Sequence, residues 1–187
     1  MRPPPADGAG DGAGSLRDRV AAVVRAVDDF PRPGIVFRDI TPVLADGMLF
    51  REVVATLADA WSQQRVDVVV GIESRGFVLG APIAYRLGAG FVPVRKAGRL
   101  PAAAISAAYA LEYGEAVLEV HADAIAGGQR VLIVDDLLAT GGTAAATIGL
   151  VEELGGVVAG VTFLIELTDL GGAASLGGHD HLSLITY

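Results

Sequence analysis

Two adjacent aspartates and the turn that follows them are the residues of this sequence whose types and spacing best suit chemistry. They lie in VLIVDDLLATGGTAAAT, residues 131–147, where an apolar run ends at Asp135 and Asp136. Carboxylates at the end of a strand are well placed to accept hydrogen bonds from sugar hydroxyls. A Gly/Thr turn before a helix gathers backbone N–H groups that attract phosphate. The stretch therefore predicts a site for a phosphorylated sugar.

The turn itself is a short run of small residues, namely Ala139, Thr140, Gly141, Gly142 and Thr143. It is not a Walker A loop, because no lysine follows its glycines and its acids precede the turn. The structural alternative is that Asp136 caps a turn and the glycines only begin a helix. Two acids in front of a Thr/Gly/Thr turn favour the binding interpretation.

Basic residues follow two further apolar runs of the sequence. Arg75 lies in ESRGF after the first run, and RKAGRLP after the second contains Arg95, Lys96 and Arg99. In a chain of formal net charge −8 this cluster indicates a local site for a small anion. The alternative is a solvated surface loop whose charges serve solubility.

The elements that must position these residues alternate between strand and helix. Apolar runs occur at residues 66–72, 91–94, 130–136 and 157–167, and helical patterns at residues 77–88 and 143–155 separate some of them. Apolar runs without alternation, separated by helices, predict an α/β fold whose central, mostly parallel sheet carries helices on both faces. Function is then expected at the carboxyl ends of the strands.

The N-terminal part of the chain differs from this alternating region. Residues 1–14 are rich in Pro and Gly and are predicted to be a disordered leader, with residues 15–187 forming a single domain. Ser15 is a plausible N-cap for a helix whose apolar stripe runs from Leu16 to Val27, and residues 49–64 repeat helical spacing. The alternation also fails between Lys96 and His121, where a mobile loop or a hairpin is predicted.

Composition excludes several classes of protein. The chain has 187 residues, of which 52% are hydrophobic and 19% charged, as in globular domains. The longest charge-free stretch, residues 137–151, contains Thr and Gly and does not suit a membrane span. The acidic balance argues against nucleic acid as a partner. There are no cysteines and no secretory signal pattern, so a cytoplasmic protein is expected.

The stretch VLIVDDLLATGGT resembles the phosphoribosyl-pyrophosphate signature of the type I phosphoribosyltransferases. Four further stretches are similar to the members of that family that act on adenine: FPRPGIVFRDITPVL, GIESRGFVLGAPIA, VPVRKAGRLP and YALEYGEAVLEVHADAI. These blocks run in the family's order from residue 30 to about residue 169. The resemblance implies the type I phosphoribosyltransferase fold, with an N-terminal hood at about residues 30–44 and a mobile catalytic loop at about residues 96–115.

The resemblance also implies an activity, which is transfer of the 5-phosphoribosyl group from phosphoribosyl pyrophosphate to N9 of adenine, giving AMP and pyrophosphate with Mg²⁺ present. It implies that residues 139–143 hold the 5′-phosphate and that Asp135 and Asp136 hold the ribose hydroxyls directly or through the metal. Mg²⁺ is expected to bind mainly to substrate oxygens and water. Arg75, Arg95 and Lys96 become pyrophosphate ligands, together with Arg99, which stands where the family usually has lysine.

The base and its lid complete the implied site. Adenine would contact Val36, Phe37 and Arg38 of the hood, and Leu137 would lie against one face of the base. Judged from the residues alone, Arg38 and Asp39 could equally form a structural ion pair.

In the mobile loop the resemblance makes Glu112 the group that exchanges a proton with adenine N7 and Tyr113 part of the lid. From the residues alone, an exposed loop carboxylate explains Glu112 equally well. The family usually has Ser or Thr at the position of Ala108.

Family members are commonly homodimers, so the resemblance predicts a homodimer. A competing function is the same transfer to another purine such as xanthine or hypoxanthine. A nucleotide-sensing regulator on the same fold is a further alternative, but it would be expected to carry a basic DNA-binding module. An inactive interaction domain conflicts with the intact acids and Gly/Thr turn.

Overall fold

A seven-stranded sheet with helices on both faces organises the protein in a computed structural model that describes residues 14–110 and 115–187. The helices are α1 (Leu16–Val23), α2 (Thr41–Ala45), α3 (Gly47–Asp59), α4 (Arg75–Leu87) and α5 (Gly142–Glu153). The strands are β1 (Arg25–Val27), β2 (Phe37–Asp39), β3 (Val68–Ile72), β4 (Gly90–Lys96), β5 (Ala104–Ala110), β6 (Glu115–His121), β7 (Arg130–Leu138), β8 (Val157–Glu166) and β9 (His181–Thr186).

The sheet has the strand order β5-β6-β4-β3-β7-β8-β9. Strands β4, β3, β7, β8 and β9 are parallel to their neighbours in this series, whereas β6 runs antiparallel to both β4 and β5. The predicted α/β class with a mostly parallel sheet is therefore confirmed. The described part of the segment after Lys96 forms the β5–β6 hairpin, one of the two predicted alternatives.

Two hydrophobic clusters cover the two faces of this sheet. In β7 the side chains of Leu132 and Val134 belong to the cluster beneath α1, α3 and α4, whereas Val131 and Ile133 belong to the cluster beneath α5. Successive side chains of a strand point to opposite faces. A strand buried on both faces therefore reads as an unbroken apolar run, which is why this strand is visible in the sequence.

The helices near the N-terminus begin where side chains cap them. Ser15 accepts a hydrogen bond from the N–H of Asp18 and so caps α1 as predicted. The predicted continuation of this helix to Val27 is wrong, because residues 25–27 pair with β2 to form a small separate sheet. Asp46 caps α3 through the N–H groups of Met48 and Leu49, so the helix begins before the predicted residue 49 and ends at Asp59, before the predicted residue 64.

None of the helices in the described part of the chain combines the length and the hydropathy that crossing a membrane requires.

Candidate active site

The predicted acids and basic residues lie at one edge of the seven-stranded sheet, where parallel strands end side by side. Strand β3 lies between β4 and β7 and is parallel to both. Glu73 follows the last residue of β3, Lys96 ends β4, and Asp135 and Asp136 lie near the end of β7. The fold therefore brings the acids and the basic cluster to neighbouring strand ends.

The Gly/Thr turn connects β7 to α5 and surrounds a hollow of about 60 Å³. Its lining consists of Asp135, Leu137, Leu138, Ala139, Thr140, Gly141, Gly142, Thr143 and Ala144. A single water needs about 10–15 Å³ of such space, so the hollow has room for a group larger than water. The N-terminus of α5 points backbone N–H groups and the positive end of its dipole toward an anion placed here.

A segment distant in sequence supports the outer side of this turn. The Ser175 hydroxyl donates a hydrogen bond to the Thr140 carbonyl at 2.9 Å. Gly141 has φ of +81°, and a Cβ at this residue would lie 2.4 Å from the Gly172 carbonyl oxygen. Only a glycine accepts both this backbone conformation and this close approach. Nothing in the local sequence of residues 172–175 indicates this role.

The two acids differ in their surroundings. The Asp136 carboxylate is buried and lies 3.0 Å from the Arg75 guanidinium, while the Asp136 N–H donates to Asp135 Oδ1 at 2.9 Å. Asp135 borders the hollow, yet its carboxyl lies deep enough that burial, followed by the charge of Asp136, raises its pKa well above 3.8. Burial also raises the pKa of Asp136, against the opposing charge of Arg75.

Arg75 occupies a different position from the other predicted basic ligands. It is the first residue of α4, and its guanidinium carbon lies 5.0 Å from the centre of the Phe37 ring in addition to its contact with Asp136. A cation at this distance from an aromatic face is attracted by the ring. Arg75 therefore links Asp136 to Phe37 of the predicted hood.

Glu73 binds the other three residues of the basic cluster. Glu73 is not among the site residues predicted from the sequence. Its carboxylate lies 3.2 Å from Arg95 Nε and 3.1 Å from an Arg99 nitrogen, and it accepts a hydrogen bond from the Lys96 N–H at 3.0 Å. Burial acts to raise the pKa of Glu73, but the Lys96 hydrogen bond and the charges of Arg95 and Arg99 outweigh it, so this pKa lies below 4.5. The sequence signal that could have identified Glu73 is its position directly after the apolar run of β3.

The predicted base-binding residues lie in and beside β2. Phe37 is partly buried and meets the Phe30 ring edge to face, with their centres 5.2 Å apart, while Val36 is 44% exposed. Arg38 does not pair with Asp39, which instead binds Thr41 and lies 3.6 Å from Arg25. The Arg38–Asp39 ion pair considered in the sequence is therefore not the arrangement found.

Two predicted residues, Glu112 and Tyr113, lie outside the described residues. Within residues 14–110 and 115–187, no group of His, Cys, Asp or Glu side chains is clustered in a way that could hold a metal ion by itself. The carboxylates of Asp135 and Asp136 are oxygen donors of the kind that Mg²⁺ prefers, so they fit the role of partners to a metal that substrate oxygens also bind.

A family model described as a phosphoribosyl transferase domain matches residues 44–169. The adenine phosphoribosyltransferase of Salinispora arenicola is 55% identical over 177 residues, which cover 95% of this chain and 94% of that protein.

Solved structures give the same relationship. The crystal structure of adenine phosphoribosyltransferase from Thermoanaerobacter pseudethanolicus has a TM-score of 0.90 at 52% identity and covers 92% of this chain and 100% of its own. The adenine phosphoribosyltransferase from Saccharomyces cerevisiae was solved in complex with adenine and an imino-altritol bisphosphate. It has a TM-score of 0.85 at 38% identity, and the match covers 90% of this chain and 98% of the yeast chain.

Proposed function

Since this chain belongs to the adenine phosphoribosyltransferase family, we propose how its own residues carry out that family's reaction. The reaction transfers the 5-phosphoribosyl group of phosphoribosyl pyrophosphate to N9 of adenine and gives AMP and pyrophosphate, a step of purine salvage. The observation that carries the assignment is the hollow at the end of β7, where the acid Asp135 and the turn of residues 139–143 meet.

The 5′-phosphate binds in this hollow. The backbone N–H groups of the turn and of the first residues of α5 donate to its oxygens, and the hydroxyls of Thr140 and Thr143 add further donors. Asp135 and Asp136 accept hydrogen bonds from the ribose hydroxyls. As the bond to pyrophosphate breaks, the ribosyl carbon gains positive charge, and nearby carboxylates stabilise that charge.

The acids are also the residues that would hold Mg²⁺ together with the oxygens of the substrate. When bound, the metal supplies positive charge that stabilises the departing pyrophosphate. The raised pKa of Asp135 supports this role. Burial and the charge of Asp136 destabilise the ionised form of this carboxyl group, and a cation bound beside it would stabilise that form.

Pyrophosphate binds to Arg75, Arg95, Lys96 and Arg99. The Arg75 guanidinium is already paired with Asp136 at 3.0 Å, so it lies at the junction between ribose and diphosphate. Arg95 and Arg99 are held by Glu73, which keeps two guanidinium groups close together before an anion arrives. Such preorganisation lowers the cost of fixing long side chains on binding.

Glu73→Gln is expected to raise the KM for phosphoribosyl pyrophosphate about tenfold while changing the KM for adenine little. The variant keeps the size of the side chain but removes the charge that orients Arg95 and Arg99, and hydrogen bonds to charged groups contribute about 1.5–3 kcal/mol. Initial rates at varied concentrations of each substrate measure the two constants.

A matched control for this variant is Glu119→Gln. The Glu119 carboxylate accepts a hydrogen bond from Gly98 in the same loop, whereas the ion pairs of Arg95 and Arg99 are with Glu73, so this variant removes an acid from the loop and keeps those ion pairs. A lower KM for phosphoribosyl pyrophosphate in Glu73→Gln would contradict the prediction and would mean that Glu73 competes with the diphosphate.

Adenine binds between the hood and Leu137. Backbone groups at residues 36–38 supply donors and acceptors to the purine edge, and the Phe37 ring and Leu137 supply apolar contact. Glu112 exchanges the proton at N7, and Tyr113 belongs to the lid that excludes water from the ribosyl centre. Exclusion of water protects a cationic ribosyl centre from hydrolysis.

The protein is expected to form nucleotide from adenine and not from hypoxanthine, guanine or xanthine. A 6-oxo purine presents a carbonyl and a protonated N1 where adenine presents an amino group and a free N1, and mismatched buried polar groups discriminate strongly. Purified protein, Mg²⁺ and phosphoribosyl pyrophosphate are mixed with each base, and nucleotide is separated by chromatography. Activity with another base at a comparable rate would instead favour the wider purine specificity.

We keep the predicted homodimer, cytoplasmic location and single domain of residues 15–187 as parts of this proposal. In this proposal the hood at about residues 30–44 and the loop at about residues 96–115 cover the active site. Light scattering of the purified protein should give twice the mass of one chain.

A further inference from the structure

A contact between Tyr187 and Arg38 joins the end of the main sheet to the hood. The Arg38 guanidinium carbon lies 3.9 Å from the centre of the Tyr187 ring. The distance is well inside the range of about 6 Å in which a cation is attracted to an aromatic face. The residue types and spacing in the sequence give no sign that the side chains of Arg38 and Tyr187 meet.

The backbone of Tyr187 is held in place by hydrogen bonds to Glu166 and Thr168. Its carbonyl oxygen accepts hydrogen bonds from the N–H and from the hydroxyl of Thr168, both at 2.9 Å. Its N–H donates to the Glu166 carbonyl at 2.9 Å. The ring therefore projects from a fixed frame formed by the ends of β8 and β9.

The hood strand depends on side-chain contacts of this kind. Strands β1 and β2 form a sheet of two strands, apart from the seven-stranded sheet. A two-stranded sheet of this length is marginal without packing against other elements. Phe37 contacts Arg75, and the next residue, Arg38, contacts Tyr187. Because neighbouring side chains of a strand point to opposite faces, these contacts restrain β2 from both sides.

We infer that Tyr187 is a positioning residue for the base: it fixes Arg38 and thereby the hood strand against which adenine binds. The inference rests on the proposed function, in which residues 36–38 recognise the purine. The phosphate turn and the acids have their own supports in Ser175 and Arg75. Tyr187 should therefore affect the use of adenine and leave the use of phosphoribosyl pyrophosphate nearly unchanged.

The test compares Tyr187→Leu with Tyr187→Phe. The leucine variant is expected to raise the KM for adenine about fivefold, because the cation loses its aromatic face. The KM for phosphoribosyl pyrophosphate should change less than about twofold. The phenylalanine variant keeps the ring and should behave as the wild type. Tyr85→Leu, at a tyrosine of α4 that is 90% exposed, is the matched control.

A purely structural role for Tyr187 predicts a different pattern, in which the leucine variant changes both KM values together with the melting temperature. Either that pattern or an unchanged KM for adenine in Tyr187→Leu overturns the inference. Circular dichroism establishes that each variant is folded. Should the leucine variant not fold, Tyr187→Met replaces it, since methionine is flexible enough to fill the space without an aromatic face.

A double variant separates this inference from the proposed function. Arg38→Leu alone should raise the KM for adenine, and adding Tyr187→Leu should raise it little further if Tyr187 acts through Arg38. Additive effects overturn the inference. A normal KM for adenine in Arg38→Leu removes the proposed base contact of Arg38 and the inference with it. A raised KM for adenine in Arg38→Leu with a normal KM for adenine in Tyr187→Leu overturns the inference about Tyr187 and leaves the proposed function standing.

Discussion

Asp135→Asn combined with Asp136→Asn is expected to lower kcat/KM by roughly 10³-fold or more while the protein stays folded. Asparagine keeps the shape of the side chain and its ability to contact ribose hydroxyls, but it carries no negative charge. In the proposed mechanism the transition state loses the carboxylates that stabilise the ribosyl cation, and Mg²⁺ would be left with neutral amide oxygens in place of two negatively charged donors. Steady-state kinetics with saturating adenine measure the loss.

The thermal stabilities of the two single variants should differ in a defined order. The raised pKa of Asp135 means that its ionised form is less stable in the folded protein than in the unfolded chain, so its charge lowers stability at neutral pH. Asp135→Asn should therefore melt at or above the wild-type temperature. Asp136→Asn leaves the partly buried Arg75 without its carboxylate partner and should melt below Asp135→Asn.

Asp59→Asn is the control for this pair. Asp59 is an exposed acid that pairs with Arg86 away from the strand ends, so its replacement removes a charge and an ion pair without touching the site. Its kcat/KM should equal that of the wild type. Undiminished activity in the double variant would refute the role given to Asp135 and Asp136.

The sequence revealed those parts of the fold whose signals are local. Strand β7 and the turn after it were predicted because a doubly buried strand is an unbroken apolar run and because glycines precede the helix. The apolar stripe through Val24 and Val27 misled the prediction, because residues 25–27 pair with β2 and this tertiary pairing outweighs helical spacing. Strand β9 was missed, since its residues are buried only in part.

The site shows the same division between local and distant signals. The family resemblance identified adenine as the base, and the comparisons confirm the family and its reaction. Glu73 was overlooked although it stands two residues before the predicted ligand Arg75. Ser175 and Tyr187 could not be predicted, because each acts on a residue that is far away in the chain, Thr140 and Arg38 respectively. Contacts of this kind leave no periodicity in the sequence.

Gly141→Ala is expected to raise the KM for phosphoribosyl pyrophosphate by roughly 10²-fold. A methyl group at this position would lie 2.4 Å from the Gly172 carbonyl oxygen and 2.8 Å from Ser175 Cβ, so the turn must move away from its support. That movement turns the backbone N–H groups away from the phosphate, and small displacements of positioning groups cost about this factor. Isothermal titration with phosphoribosyl pyrophosphate and Mg²⁺ measures the affinity directly.

The positive φ of Gly141 penalises alanine by itself, so the effect of the collision must be separated from the effect of backbone strain. Gly128→Ala provides that separation, because Gly128 has φ of +83°, close to the +81° of Gly141, and a methyl group there would meet no atom of the described residues within 4 Å. Both variants should lose similar stability from strain, on the order of 1 kcal/mol, but Gly128→Ala should bind phosphoribosyl pyrophosphate normally. Equal losses of affinity in the two variants would contradict the prediction, since strain alone would then explain them. Normal affinity in Gly141→Ala would mean that the phosphate binds somewhere other than this turn.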